Sequence, residues 1–295
     1  MIVSGPFDPP VVAVRQSVGL ALLEDLVPLG DVTSSLIPAG VVGVGRISAR
    51  EPGVMAGRAC AAHVFAEVAP AVATTWHAVD GDEIGAGSVL ASVAGPLVEI
   101  LAAERTALNY LGHLSGVATM TDRCVRAAGD RTGIRDSRKT LPGLRALQKA
   151  AVRAGGGVNH RGSLSDAVLV KDNHLTAIGV GEVVARARAR WPGHTVEVEC
   201  DTIDQVREAV DQGADMVMLD NMTVAEVARA VGIVGGRCLV EVSGGVTPQT
   251  VGDYAATGVD YIAIGALTHS APSLDIGLDL DVGDGDVRDG GVRDG

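Results

Sequence analysis

From about residue 130 the chain alternates short apolar runs with capped helical segments, and this alternation restricts the possible folds more than any other feature. GIRDSRK leads into TLPGLRALQKAAVRAGG, AVLVKDN into VGEVVARARARW and TVEVECD into TIDQVREAVDQG. DMVMLDN then leads into TVAEVARAVG and CLVEVSGG into TPQTVGDYAATG, before DYIAIGA closes the series. The spacing predicts a helix capped by Thr140, with Pro142 in its first turn and Gly155 as its stop. Thr202 with Gln205, and Thr223 with Glu226, read as capping boxes. Thr247 reads as a cap ahead of Pro248, with Gly258 as the stop. Repeated strand-then-helix units require parallel strands, and six of them in about 140 residues favour a barrel over an open doubly wound sheet.

Residues 1–103 follow a different pattern. A helix over Val11–Leu26 precedes Gly-rich, β-branched segments such as VVGVGRISAREPGVMAG and the hairpin-like DGDEIGAGSVLASVAG, which together predict a smaller α+β domain. A helix from Ala103 to about Ala128 is expected to connect it to the barrel. The hairpin-like segment resembles a biotinyl or lipoyl carrier, but residues 1–138 contain no lysine to accept the group. The last fifteen residues, DVGDGDVRDGGVRDG, read as a disordered acidic tail.

Charge and composition narrow the function. The net charge of −12 argues against nucleic acid or a membrane surface as a partner, and seven aromatic residues make a base-stacking platform untenable. There is no apolar run of about 18 residues and no basic-then-apolar leader, so neither a spanning helix nor a signal peptide is expected. Cys60, Cys124, Cys200 and Cys238 form no CxxC pair and read as small hydrophobes in a reducing cytoplasm. Of 24 Lys and Arg only three are Lys: Lys139, Lys149 and Lys171.

In a parallel barrel the active site forms at the carboxyl ends of the strands. Those ends carry Asp136-Ser137-Arg138-Lys139, Lys171-Asp172-Asn173-His174, Glu199 with Asp201, Asp220-Asn221, Ser243-Gly244-Gly245, and Gly265. Span 135–174 holds eight Lys/Arg against three Asp inside an acidic chain, which focuses small anions into one cleft. Arg145, Lys149 and Arg153 read as a solvated helix face. Arg138, Lys139, His160, Arg161 and Lys171 read as the anion site. Glu199 and Asp220 leave neighbouring strands opposite that cluster, and suit a divalent metal held through water and phosphate, or a developing cation. Glu197 points the same way as Glu199, so one of the two is expected to be a structural partner. Ser243-Gly244-Gly245 and Gly265 follow the last two strands, where backbone N–H groups bind phosphate. Walker, GxGxxG, HExxH and GxSxG motifs are absent.

The segments ERTALNYLGHLSGVAT, DSRKTLPGLRALQKAAVRAGGGVNHRGSLSDAVLVKDNH, VEVECDT, ADMVMLDNM and VSGGVTPQTVGDYAATGVDYIAIGALTHSAPSLDIGLDL resemble the quinolinate phosphoribosyltransferase family, in the family's order from about Leu22 to Leu280. The resemblance implies an N-terminal α/β sandwich domain over residues 1–105, covering a partner's active site in a homodimer. An incomplete TIM-like α/β barrel would follow over 106–270, then a return segment over 271–280, with 281–295 outside the pattern. It implies transfer of phosphoribose from phosphoribosyl pyrophosphate to quinolinate, with loss of carbon dioxide and with Mg²⁺, in de novo NAD synthesis. By the same resemblance Arg138, His160 and Arg161, with Lys139, hold the quinolinate carboxylates, and Arg105 reaches in from the other subunit. Lys171 balances the charge of the phosphoribosyl group and substrate. Glu199 and Asp220 face ribose and metal, while Ser243, Gly244, Gly245, Gly265 and His269 face phosphate. A nicotinate phosphoribosyltransferase without decarboxylation is the alternative.

Overall fold

A computed structural model describes residues 6–282, which divide into two compact units: one of residues up to Ser115 together with those from Ser273 onward, the other Gly116–Pro272. The first unit contains α1 (Val11–Leu26), β1 (Val42–Ala49), β2 (Gly53–Val54), α2 (Arg58–Val68), β3 (Ala73–Trp76), β4 (Glu83–Ile84), β5 (Val89–Pro96) and the start of α3 (Leu97–Ala128). The helix expected from Ala103 therefore begins six residues earlier, directly from β5, and the units divide inside it, ten residues beyond position 105. The expected hairpin does not form. β4 pairs with the distant β2, while β5 pairs antiparallel with β1 and β3. A C-terminal strand, β12 (Ile276–Val282), completes the antiparallel sheet β12-β1-β5-β3. Asp281 and Val282, assigned to the tail by sequence, belong to this strand; the expected disorder of the remaining tail lies outside the described residues.

The second unit is a six-stranded parallel sheet. Its strands are β6 (Gly133–Arg135), β7 (Val168–Val170), β8 (Val196–Cys200), β9 (Met216–Asp220), β10 (Leu239–Ser243) and β11 (Tyr261–Ala263), in the order β6-β11-β10-β9-β8-β7. The alternation predicts its parallel strands, and six strands with the connecting helices match the incomplete α/β barrel that the resemblance implies. Burial explains the apolar runs, since all five residues of β8 and the first four of β9 are buried. Helices α4 (Arg145–Ala154), α5 (Asp172–Leu175), α6 (Val180–Arg190), α7 (Ile203–Asp211), α8 (Val224–Val234), α9 (Val251–Ala255) and α10 (Ala266–His269) fill the connections.

Both expected capping boxes form, at Thr202/Gln205 and Thr223/Glu226. The other two caps do not. α4 starts at Arg145, because Gly143 at φ +78° breaks the helix after Pro142. α9 starts at Val251 with Thr250, not Thr247, at its N-cap. Gly155 follows the last residue of α4 as expected and must be glycine for packing, since a Cβ there would lie 2.2 Å from the Ala118 carbonyl oxygen. Gly156, at φ +81°, turns the chain out of the helix. No described helix is long and apolar enough to cross a membrane.

Candidate active site

A cleft of about 360 Å³ opens at the carboxyl ends of the parallel strands. It is lined by Arg138, Lys139, His160, Arg161, Lys171, Glu199, Asp220, Ser243 and Gly265, nine of the sequence-selected residues, together with Ser137, Leu169, Met218 and Ala263. Sheet register produces the convergence. Val170 pairs with Val198, Glu199 with Met218 and Asp220 with Ser243, so consecutive strands end at one level and release their polar residues into one space. Gly244 and Gly245 sit one step past the lining. His269 approaches it, since a Cβ on Gly265 would lie 3.1 Å from Lys139 Cδ and 3.3 Å from His269 Nε2. Arg105 is exposed on α3 in the first unit and is not among the lining residues.

The cationic wall has few protein partners among the described residues. Burial, then the charge of neighbouring Arg138, lowers the Arg161 pKa below its ordinary value. Arg138 Nε is buried without a hydrogen-bond partner, and the Lys139 ammonium has no ion-pair partner among the described residues. Such donors match a ligand carrying carboxylate or phosphate. Elsewhere in the lining Lys171 Nζ pairs with Glu199, and Asp220 Oδ2 accepts a 2.7 Å hydrogen bond from the Asn221 side chain. Asn221 has φ +55°, the one positive value outside glycine among the described residues, and its N–H donates to the Ser243 carbonyl at 3.0 Å. Gly244 (φ +91°) leaves it room, because a Cβ would stand 2.3 Å from Asn221 Oδ1.

A buried frame beneath the cleft escaped the sequence reading. Lys149 is 6% exposed rather than solvated. It forms an ion pair with fully buried Asp136 and donates to the His160 carbonyl at 2.9 Å. Asp136 also accepts from the His160 N–H (2.9 Å) and the Asn159 side chain (2.7 Å). The backbone at His160 is thus held at both its N–H and its C=O. Burial pushes Asp136 up and Lys149 down, and each charge opposes the other's shift. Arg153 and Arg145 are drawn in too, the first donating to Asn159 Oδ1 (2.7 Å), the second to the Gly162 carbonyl (3.0 Å). The helix therefore turns its basic face toward the loop instead of water. Fully buried Gln148 accepts from the Leu141 N–H and donates to the Thr268 carbonyl, while Thr268 Oγ1 donates to the Lys139 carbonyl. These bonds tie the Lys139 segment to α10.

His160 lines the cleft with both ring nitrogens engaged inward. Nε2 lies 3.1 Å from Glu197 Oε2 and 3.3 Å from Glu241 Oε1, and Nδ1 lies 2.7 Å from the Arg161 N–H. Burial acts to lower its pKa, but the two carboxylates outweigh burial and raise it to about 9. The two carboxylates thus favour the doubly protonated ring, but the Arg161 N–H at 2.7 Å needs a lone pair on Nδ1, and this contact favours a single ring proton, on Nε2. Of the two acids on β8, Glu197 is thus the structural partner and Glu199 the cleft residue. Both nitrogens of His160, read from the sequence as a holder of substrate carboxylate, have protein partners.

Together the fold and the cleft define an α/β-barrel enzyme for a small, multiply anionic substrate. Family models described as "Quinolinate phosphoribosyl transferase, N-terminal domain" and "C-terminal domain" match residues 31–115 and 117–279. A nicotinate-nucleotide pyrophosphorylase [carboxylating] from Mycobacterium leprae is 44% identical over 276 residues, covering 91% of this chain and 97% of the relative. A probable enzyme of the same name from Bacillus subtilis is 42% identical, covering 88% and 90%. The solved nicotinate-nucleotide pyrophosphorylase of Francisella tularensis superposes with a TM-score of 0.89 at 35% identity, covering 94% of this chain and 99% of that one. The chain belongs to the quinolinate phosphoribosyltransferase family, and is an enzyme of the phosphoribosyltransferase class.

Proposed function

We propose that this enzyme joins quinolinate to phosphoribosyl pyrophosphate, releasing pyrophosphate and carbon dioxide and giving nicotinate mononucleotide, a step of de novo NAD synthesis. The observation that carries this reading is the single cleft that brings together Arg138 and Lys139, whose side chains have no ion-pair partner among the described residues, with Arg161, Glu199 and Asp220. The planar guanidinium forks bind the two adjacent carboxylates, and Leu169, Met218 and Ala263 offer an apolar surface to the pyridine ring. Positive charge that develops at the ribose C1′ as pyrophosphate departs is met by Glu199 and Asp220, and Lys171 moderates their charge. The clamped ring holds its nitrogen in line with C1′. Once alkylated, the cationic ring takes up the electron pair released when the adjacent carboxylate leaves as carbon dioxide, and a proton from the site or solvent completes C2.

Glu199 and Asp220 also fit Mg²⁺, which keeps most of its water and is held through one or two carboxylates plus substrate phosphates. When bound, it would neutralise charge on the departing pyrophosphate. Ser243, Gly244, Gly245, Gly265 and His269 serve the phosphate end. The reaction runs in the cytoplasm, where the four free thiols stay reduced.

Gly244→Ala is expected to raise KM for phosphoribosyl pyrophosphate on the order of tenfold, since the new Cβ displaces Asn221 and with it Asp220. Steady-state kinetics with each substrate varied checks this; an unchanged KM counts against the phosphate-loop role. The enzyme acts as a homodimer in which Arg105 enters the partner's site. Inactive Arg105→Ala and Lys171→Ala proteins, mixed and allowed to exchange subunits, should then regain roughly a quarter of wild-type activity through hybrids with one intact site. No recovery in verified hybrid dimers contradicts the shared site.

A further inference from the structure

Three charged side chains occupy the interior of the barrel below the cleft, where apolar residues would normally pack. Arg135 on β6 donates from Nη1 to Glu241 Oε2 at 2.7 Å, and its guanidinium lies 3.7 Å from the Tyr261 ring centroid. Glu241 on β10 is fully buried, and its other oxygen faces His160 Nε2 at 3.3 Å. Glu197 on β8, 4% exposed, approaches the same nitrogen at 3.1 Å. His160, Glu197 and Glu241 bring ligand-type atoms close enough to enclose a cation, but Arg135 already supplies positive charge there.

Burying Glu197 and Glu241, with Arg135 largely covered beside them, costs several kcal/mol per charge before pairing, and an apolar trio of the same volume would serve stability at least as well. One Nε2–H cannot point straight at two carboxylates: it bonds Glu197 Oε2, and Glu241 Oε1 stands 3.3 Å off as an ion-pair contact only. Glu197 Oε1, Glu241 Oε1 and Arg135 Nε are left buried without a hydrogen-bond partner among the described residues. The arrangement is thus poor as a stabilising device. It is effective as a brace, because the imidazole caught between Glu197 and Glu241 presents Nδ1 to the Arg161 N–H and fixes where the Arg161 side chain starts.

We propose that Arg135 and Glu241, neither of which lines the cleft, are positioning residues that orient Arg161 through the His160 ring and so set the affinity for quinolinate. This rests on the reading that Arg161 binds a quinolinate carboxylate. The chain of contacts runs from Tyr261 through Arg135 and Glu241 to His160, and delivers its effect to the dicarboxylate end of the cleft rather than to Glu199 and Asp220.

The test compares wild type, Glu241→Gln, Glu241→Asp and the double variant Arg135→Met/Glu241→Leu. The double variant removes both charges at once, so it leaves no unpaired buried ion to unfold the protein. Melting temperature and the KM of each substrate are measured. The expected result is a rise in KM for quinolinate on the order of tenfold or more in Glu241→Gln and in the double variant. KM for phosphoribosyl pyrophosphate should stay near wild type in every variant and the melting temperature in the double variant, whereas Glu241→Gln, which strands Arg135, should also melt lower. Glu241→Asp should lie between wild type and Glu241→Gln. An unchanged quinolinate KM in the double variant overturns the proposal. So does a parallel rise of both KM values with a lowered melting temperature, the mark of a merely structural role. Wild-type protein inactive toward quinolinate would instead defeat the functional reading itself, and the proposal with it.

Discussion

Arg161→Ala and Lys139→Ala are each expected to yield a folded protein that has lost about 10²–10³-fold in kcat/KM, the scale of removing one preorganised group from a transition-state site. Folding should survive because neither side chain holds the structure together. Lys139 makes no side-chain bond among the described residues, and the Arg161 guanidinium makes a single 3.2 Å hydrogen bond, to the Ala167 carbonyl. Activity should not survive. Arg161 already sits against Arg138 with its charge disfavoured by burial, so this wall gains most when an anion arrives. Steady-state kinetics alongside thermal unfolding checks both halves; near-normal turnover in either variant contradicts the assignment.

Lys149→Met should have the opposite profile, with stability falling first. The substitution leaves Asp136 ionised at zero exposure with its cation gone, and it removes the donor to the His160 carbonyl. Breaking a buried pair by removing one partner costs about 3–5 kcal/mol. For a unit of this size that lowers the melting temperature by roughly 6–20 °C. Differential scanning calorimetry measures the shift directly. A melting temperature within a degree or two of wild type would mean that the ion pair does not hold the 159–161 segment.

These two cases show what could be read in advance. The strand ends were legible because a parallel barrel places its chemistry there and each apolar run stops at a polar residue. Lys139, Lys171, Glu199 and Asp220 could therefore be selected without coordinates, and Arg161 by the positive charge gathered in the Gly-rich loop after α4. The caps at Thr202 and Thr223 were legible because a capping box is closed by residues three apart. Thr140 carried a similar local signal, but Gly143 at φ +78° takes the chain after it away from helix geometry. After Thr247 a tight turn, in which the Thr250 and Val251 N–H groups both donate to the Thr247 carbonyl, comes before α9. β4 was assigned to a hairpin because its true partner, β2, lies some thirty residues upstream, and pairing at that range leaves no trace in spacing.

Lys149 was misread for a related reason. Periodicity places Arg145, Lys149 and Arg153 on one helix face but does not say whether that face meets water or a folded loop. Glu241 did carry a signal: a carboxylate between Val240 and Val242, in a run otherwise apolar, marks a buried charge that needs a partner. Its partners, Arg135 and His160, lie 106 and 81 positions away, so only the fold brings them together.

The central claim is that one cleft grips a pyridine dicarboxylate beside an activated ribose and removes the carboxylate next to the ring nitrogen. Quinolinate labelled in that carboxyl group, incubated with the protein, Mg²⁺ and phosphoribosyl pyrophosphate, tests it most directly. The account predicts labelled carbon dioxide released one-for-one with unlabelled mononucleotide, and none when phosphoribosyl pyrophosphate is omitted. Mononucleotide that retains the label, or carbon dioxide released without the sugar donor, would contradict it.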